Sequence, residues 1–460
     1  MNTYDLIVIG GGPGGYVAAL YASQLKAKVC LVEKAEIGGT CLNRGCIPTK
    51  AILASASVFR MAKKSGSYGV NIQGLNCDFS AVIARKNKIV QQLVNGIKFL
   101  FKKRGIEIVN GEGILIDANK VEVKKSDGTT QILSANKIII ATGSEPANIP
   151  GINFDGTKIL SSTDVLNLTN IPSSIAIIGG GAIGVEFAHI FNTFGVRVSI
   201  IEMMSQLIPT EDEEIALELK KCLEVDGIQI YLNEKVENIT DSETEKKLKL
   251  SSGKEIEAEK VLVGIGRKFN TAGIGLEKLK IDTDKGKIIV NEKMETNIKG
   301  VYAIGDITGK ALLAHIASHQ GIVAAENALG KDSYMDYSII PSCIFTEPEI
   351  ASVGLTEKKA KEQGFQVKIG KFPFSASGKA IAIGETKGFV KIVVDTKYDI
   401  VLGVQIIGPH ATELIGEACM ALKCEATTEE FIKTIHAHPT LPETLMEAAF
   451  HSIGMPLHTL

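Results

Sequence analysis

Two cysteines five positions apart are the residues of this 460-residue chain whose types and spacing most directly suggest chemistry. Cys41 and Cys46 follow a Gly-Gly-Thr turn and precede an Ile-Pro-Thr-Lys sequence that ends at Lys50. A zinc site would need four ligands, and no second Cys or His pair lies nearby in the sequence. A structural disulfide closing so short a loop would add little stability and is unusual in the cytosol. Close spacing, a following helix N-terminus and a lysine that favours the thiolate instead indicate a redox-active disulfide.

Cys419 and Cys424 have the same spacing in a different sequence context. Their segment has the pattern of an amphipathic helix, on which side chains five residues apart point about 140° away from each other. We therefore expect both to be core residues rather than a redox pair. The remaining cysteines have no partner signal and receive the same prediction: Cys30, Cys77, Cys222 and Cys343.

A histidine-containing segment near the C-terminus offers a candidate acid or base. It contains His436 and His438 and continues as Pro-Thr-Leu-Pro to Glu443. The two prolines favour a rigid, non-helical segment, and the glutamate could orient one imidazole and stabilise its cation. A histidine taken alone is more often structural than catalytic, and the residues do not by themselves choose between His436 and His438.

An internal repeat supplies the elements that must position these groups. In each copy a strand leads into a G-x-G-x-x-G turn, a helix follows, and a second strand ends in glutamate. The copies lie 169 residues apart and end at Glu33 and Glu202. The glycines permit close approach of a pyrophosphate, the helix N-terminus supplies free N–H groups, and the glutamate accepts hydrogen bonds from ribose hydroxyls. The doubled pattern predicts two dinucleotide-binding units.

Later strands show how these units are arranged along the chain. Lys137–Gly143 and Lys260–Gly266 each end in glycine, and Val301–Asp306 follows the second unit. We expect an α/β protein in which a second Rossmann-like domain is inserted into the first, followed by an α+β domain. The predicted boundaries are 1–148 and 274–346 for the first domain, 149–273 for the inserted domain and 347–460 for the last.

Composition excludes several classes of protein. The chain has 50 basic and 52 acidic residues, which excludes a polycation built to neutralise nucleic-acid backbones. No apolar stretch approaches the roughly 20 residues of a transmembrane helix. The N-terminus shows neither signal-peptide nor transit-peptide features. We therefore expect a cytoplasmic protein that binds neither nucleic acid nor membrane, and we identify no metal site.

Over nearly all of its length the chain resembles the flavoprotein disulfide reductases. The resemblance is carried by the segment from Gly38 to Lys50, the doubled dinucleotide pattern, Ala141-Thr142-Gly143, Ile304-Gly305-Asp306 and His436-Ala437-His438-Pro439-Thr440. It implies FAD in the first Rossmann-like domain, NAD in the second, and a C-terminal dimerisation domain that makes the protein a homodimer.

The resemblance also implies a role for each residue that matches a family motif. For FAD these are Gly10, Gly12, Gly15, Glu33, Lys50, Gly113, Thr142, Gly143, Asp306 and Ala314. For NAD they are Gly179, Gly180, Gly181, Ala182, Ile183, Glu202, Val236, Gly264, Ile265, Gly266 and Arg267. After Arg267, Lys268-Phe269-Asn270 departs from the family's usual Arg/Lys-Pro, which we expect to alter a turn but no reacting group.

In the catalytic centre, the resemblance implies that Cys41 exchanges with substrate and Cys46 faces the flavin. It implies that His438 is the base and Glu443 its partner. It further implies that Lys50 pairs with Glu186 close to the nicotinamide.

The resemblance is strongest to the branch of the family that oxidises protein-bound dihydrolipoamide and reduces NAD. Glu202 is followed by Met203-Met204-Ser205, which offers no cation for the 2′-phosphate of NADP. This branch serves 2-oxo acid dehydrogenase or glycine cleavage complexes, so the implied partners are a lipoyl-bearing acyltransferase or H-protein. The alternatives are another disulfide-reducing flavoprotein and a redox-sensing flavoprotein that acts as a binding partner.

Overall fold

The computed structural model describes residues 3–242 and 245–459 of the chain. Met1 and Asn2, on which the expectation about targeting signals partly rests, lie outside the described residues. Within the described part, no helix is both long and apolar enough to cross a lipid bilayer.

The first sheet contains the strands of the first repeat. Its order is Glu107–Asn110, Val29–Glu33, Thr3–Ile9, Thr130–Ile140, Lys120–Lys124 and Glu112–Asp117, with Val301–Ala303 paired to the C-terminal end of Thr130–Ile140. The first four strands and Val301–Ala303 run parallel, and the remaining two continue the sheet antiparallel. The parallel strand Val29–Glu33 is buried along its whole length, which explains its continuous apolar sequence.

The second sheet contains the strands of the second repeat. It is parallel throughout, in the order Gln229–Leu232, Arg197–Glu202, Ser174–Ile178, Lys260–Val263 and Ile159–Leu160. A separate antiparallel sheet comprises Val236–Asp241, Lys246–Leu250 and Glu255–Ala258. Leu248, Leu250 and Ile256 of this smaller sheet pack with buried residues of the parallel sheet.

The connections between the two units have the topology of an insertion. Ser144–Pro146, which leaves the first unit, pairs antiparallel with Arg267–Phe269, which returns from the second. The chain then passes the Thr283–Asp284 and Lys287–Ile288 hairpin before Val301–Ala303 rejoins the first sheet. The predicted insertion is confirmed, whereas the predicted domain boundaries stay a prediction.

The C-terminal unit is built on an antiparallel sheet. Its strands, in order, are Ser342–Ile344, Glu349–Gly354, Val401–Gly408, Phe389–Asp395 and Val367–Pro373. Ala411–Lys423 and Glu443–Ser452 place buried aliphatic residues against this sheet. The predicted α+β organisation is therefore confirmed.

The α-helices of the described residues connect and cover these sheets. They span Pro13–Gln24, Gly39–Arg44, Cys46–Lys64, Phe79–Arg104, Ser162–Val165, Ala182–Thr193, Glu213–Val225, Leu276–Leu279, Ala314–Ala328, Glu357–Glu362, Gly378–Ala382, Ala411–Lys423, Thr428–Lys433 and Glu443–Ser452. Short 3₁₀ turns lie at Ser65–Tyr68, Gly305–Thr308 and Phe374–Ala376.

The prediction that the unpaired cysteines are core residues is only partly correct. Cys30 and Cys222 are buried, but Cys424 is exposed. The helix Ala411–Lys423 ends one residue before Cys424, which therefore caps the helix instead of lying on its apolar face. Cys77, Cys343 and Cys419 are half-buried.

Buried charges join the second unit to the C-terminal unit. The ammonium of Lys391 lies 3.1 Å from Asp212, 2.7 Å from Glu214 and 3.2 Å from Glu357. Its side chain is only 2% exposed. The adjacent Glu211 accepts hydrogen bonds from two serine hydroxyls of the C-terminal sheet. Because an isolated buried charge is costly, these contacts specify how the two units pack together.

Replacing Lys391 should therefore destabilise the fold. Lys391→Met leaves the buried Asp212 carboxylate without its cation, and we expect a loss of about 3 kcal/mol in the free energy of unfolding, measured by urea denaturation. Lys358→Met is the matched control, because Lys358 and Glu213 form an exposed ion pair between the same two units. The control should leave stability unchanged; equal losses in both variants would contradict the prediction.

Candidate active site

Both glycine-rich turns bind the glutamate that ends the second strand of their repeat. The Gly11 N–H donates to Glu33 Oε2 at 2.6 Å, and the Gly180 N–H donates to Glu202 Oε2 at the same distance. The other carboxylate oxygen of each glutamate accepts an N–H from two residues further on, at 2.7 and 2.8 Å. The two repeats thus hold buried carboxylates in equivalent positions beside their turns.

The turns themselves fit a dinucleotide pyrophosphate. In the first turn a Cβ on Gly15 would lie 1.8 Å from the carbonyl oxygen of Gly10, and the second turn repeats this contact at 1.9 Å. Gly12 and Gly181 instead face open space, and the helix that follows each has no side-chain cap. Uncapped N–H groups with space in front of them can donate hydrogen bonds to the oxygens of a phosphate.

Asp306 lies where the first and second units meet. It accepts a hydrogen bond from the Ser144 hydroxyl, and Arg267 Nε donates to the same hydroxyl at 2.5 Å. Arg267 Nε also lies 3.5 Å from Asp306 Oδ2. The structure thus places Arg267 beside Asp306, although the family resemblance implied that Arg267 contacts NAD and Asp306 contacts FAD. Ser144 was not predicted from the sequence.

The predicted contacts at Thr142 and Gly143 lie against the returning strand. Thr142 Oγ1 donates to the Asn270 carbonyl at 2.7 Å, and Asn270 donates to the carbonyls of Thr142 and Gly143, each at 3.0 Å. The departure from the family pattern at Asn270 therefore lies beside the paired strands by which the chain leaves the first unit and returns from the second. At Gly113 a Cβ would lie 2.9 Å from the side chain of Ile9, which explains the glycine there.

The other predicted nucleotide contacts lie at the ends of elements. Ala314 begins the helix Ala314–Ala328, and Val236 begins the strand Val236–Asp241. The Gly264 N–H donates to the Ile178 carbonyl at 2.8 Å, which holds this glycine beside the second turn. Ile265 is exposed, and Gly266 has a positive φ of 135°.

The two cysteines predicted to be redox-active occupy different helical positions. Cys41 lies within Gly39–Arg44, whereas Cys46 is the first residue of Cys46–Lys64. Both are half-buried free thiols. Because the positive end of a helix dipole stabilises an anion, the longer helix favours a thiolate at Cys46.

The electrostatic environment also distinguishes the two sulfurs. The hydrogen bond with Cys41 and the nearby Lys50 ammonium together outweigh burial and lower the pKa of Cys46 to about 7. The same hydrogen bond, reinforced by burial, raises the pKa of Cys41. The reduced pair therefore consists of a Cys41 thiol and, above about pH 7, a Cys46 thiolate.

Lys50 and Glu186 form an ion pair next to the thiols. Lys50 Nζ lies 2.9 Å from both carboxylate oxygens of Glu186, whose side chain is 8% exposed. The Phe345 N–H donates to Glu186 Oε1 at 3.0 Å, and the Phe345 ring lies 4.2 Å from the ammonium. Phe345 belongs to no motif, so its contact with the ion pair was not predicted.

Tyr16 is a second neighbour of the thiols that the sequence did not predict. It lies on the helix that follows the first glycine-rich turn. Burial, followed by the sulfurs of Cys41 and Cys46, raises the pKa of its hydroxyl. Its position inside a dinucleotide-binding helix concealed its proximity to the cysteines.

Each histidine of the C-terminal segment is paired with its own glutamate. His438 Nδ1 lies 2.9 Å from Glu443 Oε1, and the Thr440 N–H donates to the other oxygen at 2.7 Å. Burial raises the pKa of Glu443, but the Thr440 N–H and His438 outweigh it and leave the pKa below its ordinary value. His436 Nε2 lies 2.9 Å from Glu417.

Exposure separates these two histidines. The side chain of His438 is 80% exposed, whereas that of His436 is 5% exposed. Only His438 can therefore reach a molecule outside its own chain. Among the hydrogen bonds of the described residues, none joins His438 to Cys41 or Cys46 of the same chain.

Comparison with known proteins identifies two matching families. The pyridine nucleotide-disulphide oxidoreductase family matches residues 4–321, and its dimerisation domain matches residues 340–449. The dihydrolipoyl dehydrogenase of Bacillus subtilis is 44% identical over 99% of both chains. That of Chlamydia pneumoniae is 45% identical over 99% of this chain and 98% of its own.

Solved structures show the same fold. LpdA from Mycobacterium tuberculosis has a TM-score of 0.91 at 28% identity and covers 96% of this chain and 98% of its own. The HOCl-induced flavoprotein disulfide reductase RclA from Escherichia coli, as a Cu(II) complex, has a TM-score of 0.89 at 28% identity, with coverage of 98% and 99%. The chain therefore belongs to the pyridine nucleotide-disulphide oxidoreductase family, as its motifs predicted.

Proposed function

We propose that the protein is a dihydrolipoyl dehydrogenase, which oxidises protein-bound dihydrolipoamide to lipoamide and reduces NAD. The observation that carries this proposal is the Cys41–Cys46 pair, with its thiolate at a helix N-terminus beside Lys50. The chain that contains this pair is 41–45% identical to curated dihydrolipoyl dehydrogenases over nearly all its length. Their family uses FAD and a pyridine nucleotide.

We assign FAD to the first glycine-rich turn and NAD to the second, in the first and the inserted domain that the sequence predicts. Both turns offer uncapped N–H groups, and their buried glutamates, Glu33 and Glu202, suit ribose hydroxyls. Asp306, with Ser144 and Arg267 beside it, would contact the central part of FAD. When bound, FAD supplies the two-electron transfer between the dithiol and NAD.

The substrate reaction begins with proton removal. His438 accepts a proton from one thiol of dihydrolipoamide, while Glu443 orients the imidazole and stabilises the resulting cation. The substrate thiolate attacks Cys41 of the oxidised enzyme. A substrate–Cys41 disulfide forms, the Cys41–Cys46 bond breaks, and Cys46 departs as a thiolate.

A second exchange releases the product. The remaining substrate thiol attacks the substrate sulfur of the mixed disulfide, and its proton passes to the departing Cys41. Dihydrolipoamide has then lost two electrons and two protons and has become lipoamide. The enzyme holds a Cys41 thiol, a Cys46 thiolate and, on His438, the proton taken from the substrate. The opposite pKa shifts of the two cysteines favour the thiol at Cys41 and the thiolate at Cys46.

We infer that His438 deprotonates the substrate that reacts with Cys41 of the other subunit of a homodimer. The exposed imidazole lies in the unit that matches the dimerisation domain, and an isologous dimer would form two equivalent sites. The partners of this dimer would be a lipoyl-bearing acyltransferase or H-protein. The dithiol carried by such a partner is the substrate that the mechanism requires.

The activity and the choice of nucleotide can be tested together. We expect the FAD-loaded protein to reduce NAD with dihydrolipoamide and to leave oxidised glutathione, the control substrate, unreduced. Because the Glu202 carboxylate repels a 2′-phosphate, kcat/KM should favour NAD over NADP by roughly two orders of magnitude. Similar values for both nucleotides would contradict the NAD assignment, and turnover of glutathione but not lipoamide would contradict the proposed function.

The roles of the two thiols should be visible in the flavin spectrum. Cys41→Ser should leave a Cys46 thiolate beside the flavin and give charge-transfer absorbance without added reductant, since the serine hydroxyl can replace the donated hydrogen bond. This absorbance should disappear as the pH falls through about 7, because acid protonates the thiolate. Cys46→Ser, the matched control, should lack it. Charge-transfer absorbance in Cys46→Ser and none in Cys41→Ser would show that Cys41 faces the flavin and Cys46 exchanges with substrate.

Subunit mixing tests whether the site is shared. His438→Gln alone should reduce lipoamide turnover by about 10² to 10⁴, because the base is lost. When Cys41→Ser and His438→Gln subunits are reversibly dissociated and mixed, we expect activity to reappear. Each mixed dimer then has one site with both substitutions and one intact site. A mixture as inactive as its parents would show that both residues act within one chain.

A further inference from the structure

A short segment of the C-terminal unit contacts both members of the Lys50–Glu186 ion pair. The Phe345 backbone binds the carboxylate at 3.0 Å, and its ring lies 4.2 Å from the ammonium. Lys50 belongs to the first unit and Glu186 to the second, so Phe345 is the contribution of the third. One residue thereby restrains both charges beside Cys46.

The same segment is anchored two residues later. Arg60 Nη1 lies 2.7 Å from Glu347 Oε2, and its side chain is 13% exposed. Arg60 lies on the same helix as Lys50. His189, one turn after Glu186 on the second helix, places Nε2 3.8 Å from the same carboxylate oxygen. Residues 345–347 therefore contact both helices at both ends of the segment.

The anchoring contact is the pair formed by Arg60 and Glu347. Burial, followed by the charges of Arg60 and Lys387, lowers the pKa of His189 to about 3, so its imidazole is neutral. Burial also raises the pKa of Glu347, and Arg60 acts against that change. The guanidinium, more than the Lys64 ammonium, thus stabilises the Glu347 carboxylate at neutral pH.

We propose that Arg60, Glu347 and Phe345 form a clamp that positions the Lys50 ammonium against Cys46 and so sets the pH at which the thiolate forms. All three are positioning residues, since they act through Lys50 and Glu186. The groups acting on the Cys46 sulfur itself are Cys41, Lys50, Glu186 and Tyr16. The clamp adds positioning residues to the proposed function. It rests on that function only in requiring that Cys46 be the reactive thiolate.

Direct action of the Arg60 charge on Cys46 is a weak alternative. Arg60 lies fourteen residues beyond Cys46 on one helix, a rise of about 21 Å, which exceeds the Debye length of about 10 Å in 0.1 M salt. Release of the clamp, in contrast, frees the Lys50 ammonium, which lies beside Cys46. A mobile ammonium lowers the pKa of the sulfur less than a fixed one.

The test compares Arg60→Met with Glu347→Gln in a Cys41→Ser background. In the FAD-loaded protein, the pH midpoint of charge-transfer absorbance reports the Cys46 thiolate. In the apoprotein, the pH dependence of Cys46 carbamidomethylation, followed by mass spectrometry, reports it independently. We expect both substitutions to raise the midpoint by about one pH unit, a tenfold lower thiolate-to-thiol ratio at a given pH.

The direction of the Glu347→Gln shift is decisive. If charge alone acted, removing a cation at Arg60 would raise the midpoint and removing an anion at Glu347 would lower it. Loss of the clamp raises the midpoint in both variants. Opposite shifts, or unchanged midpoints in folded variants, would overturn the proposal.

Two further variants complete the test. Lys64→Met removes another ion pair between the same helix and the C-terminal unit, with Glu385 at 3.5 Å, and should leave the midpoint unchanged. An equal shift there would overturn the clamp. Arg60→Lys should retain most of the parental midpoint. If Arg60→Met fails to fold, Glu347→Gln carries the test, since only clamp release moves its midpoint upward.

This outcome is separable from the proposed function. The thiolate midpoint requires no lipoamide, so raised midpoints in a protein that fails to oxidise dihydrolipoamide would support the clamp and reject the proposed substrate. Oxidation of dihydrolipoamide with unshifted midpoints would support the proposed function and reject the clamp.

Discussion

The ion pair between Lys50 and Glu186 is the interaction on which the arrangement of the site depends. A buried carboxylate is tolerated only when cations and hydrogen-bond donors replace its water. Glu186 receives the ammonium from one unit and a backbone N–H of Phe345 from another. The carboxylate can therefore be satisfied only when all three units are docked, and this requirement couples the packing of the chain to the environment of the thiols.

Apolar packing places these charges correctly. One buried cluster contains Ile52 from the thiol-bearing helix, Phe187 from the helix of Glu186, and Ile344 from the strand that precedes Phe345. Non-directional burial brings the three elements together. The ion pair then selects one orientation among those that the apolar surfaces would permit. Lys391, with its carboxylates, performs a comparable role farther along the boundary between the second and third units.

The site also shows how identical residue types acquire different chemistry. Two cysteines of one short segment differ because Cys46 begins a long helix and accepts the hydrogen bond, whereas Cys41 donates it. Two histidines separated by one residue differ because His436 is enclosed with Glu417 and His438 projects outward with Glu443. Position relative to helix ends and solvent, rather than residue type, distinguishes each pair.

Sequence by itself determined the parts of this protein whose physics is local. A tight turn, an open helix N-terminus and a terminal glutamate lie within about 25 residues, so both nucleotide-binding units and the insertion could be derived from spacing. The same local reasoning identified the cysteine pair, and the resemblance added the Lys50–Glu186 contact. It failed for Cys424, because the end of a helix depends on packing and capping as well as on periodicity.

Only the tertiary structure decided which distant residues meet. Ser144 joins Asp306, Arg267 turns toward the first unit, and Phe345 reaches Glu186 across 159 positions of sequence. No local pattern encodes these contacts, since their partners are brought together by the packing of three units against one another. The properties that depend on them, above all the charge distribution around Cys46, follow from the assembled fold because electrostatic interactions act through space and not along the chain.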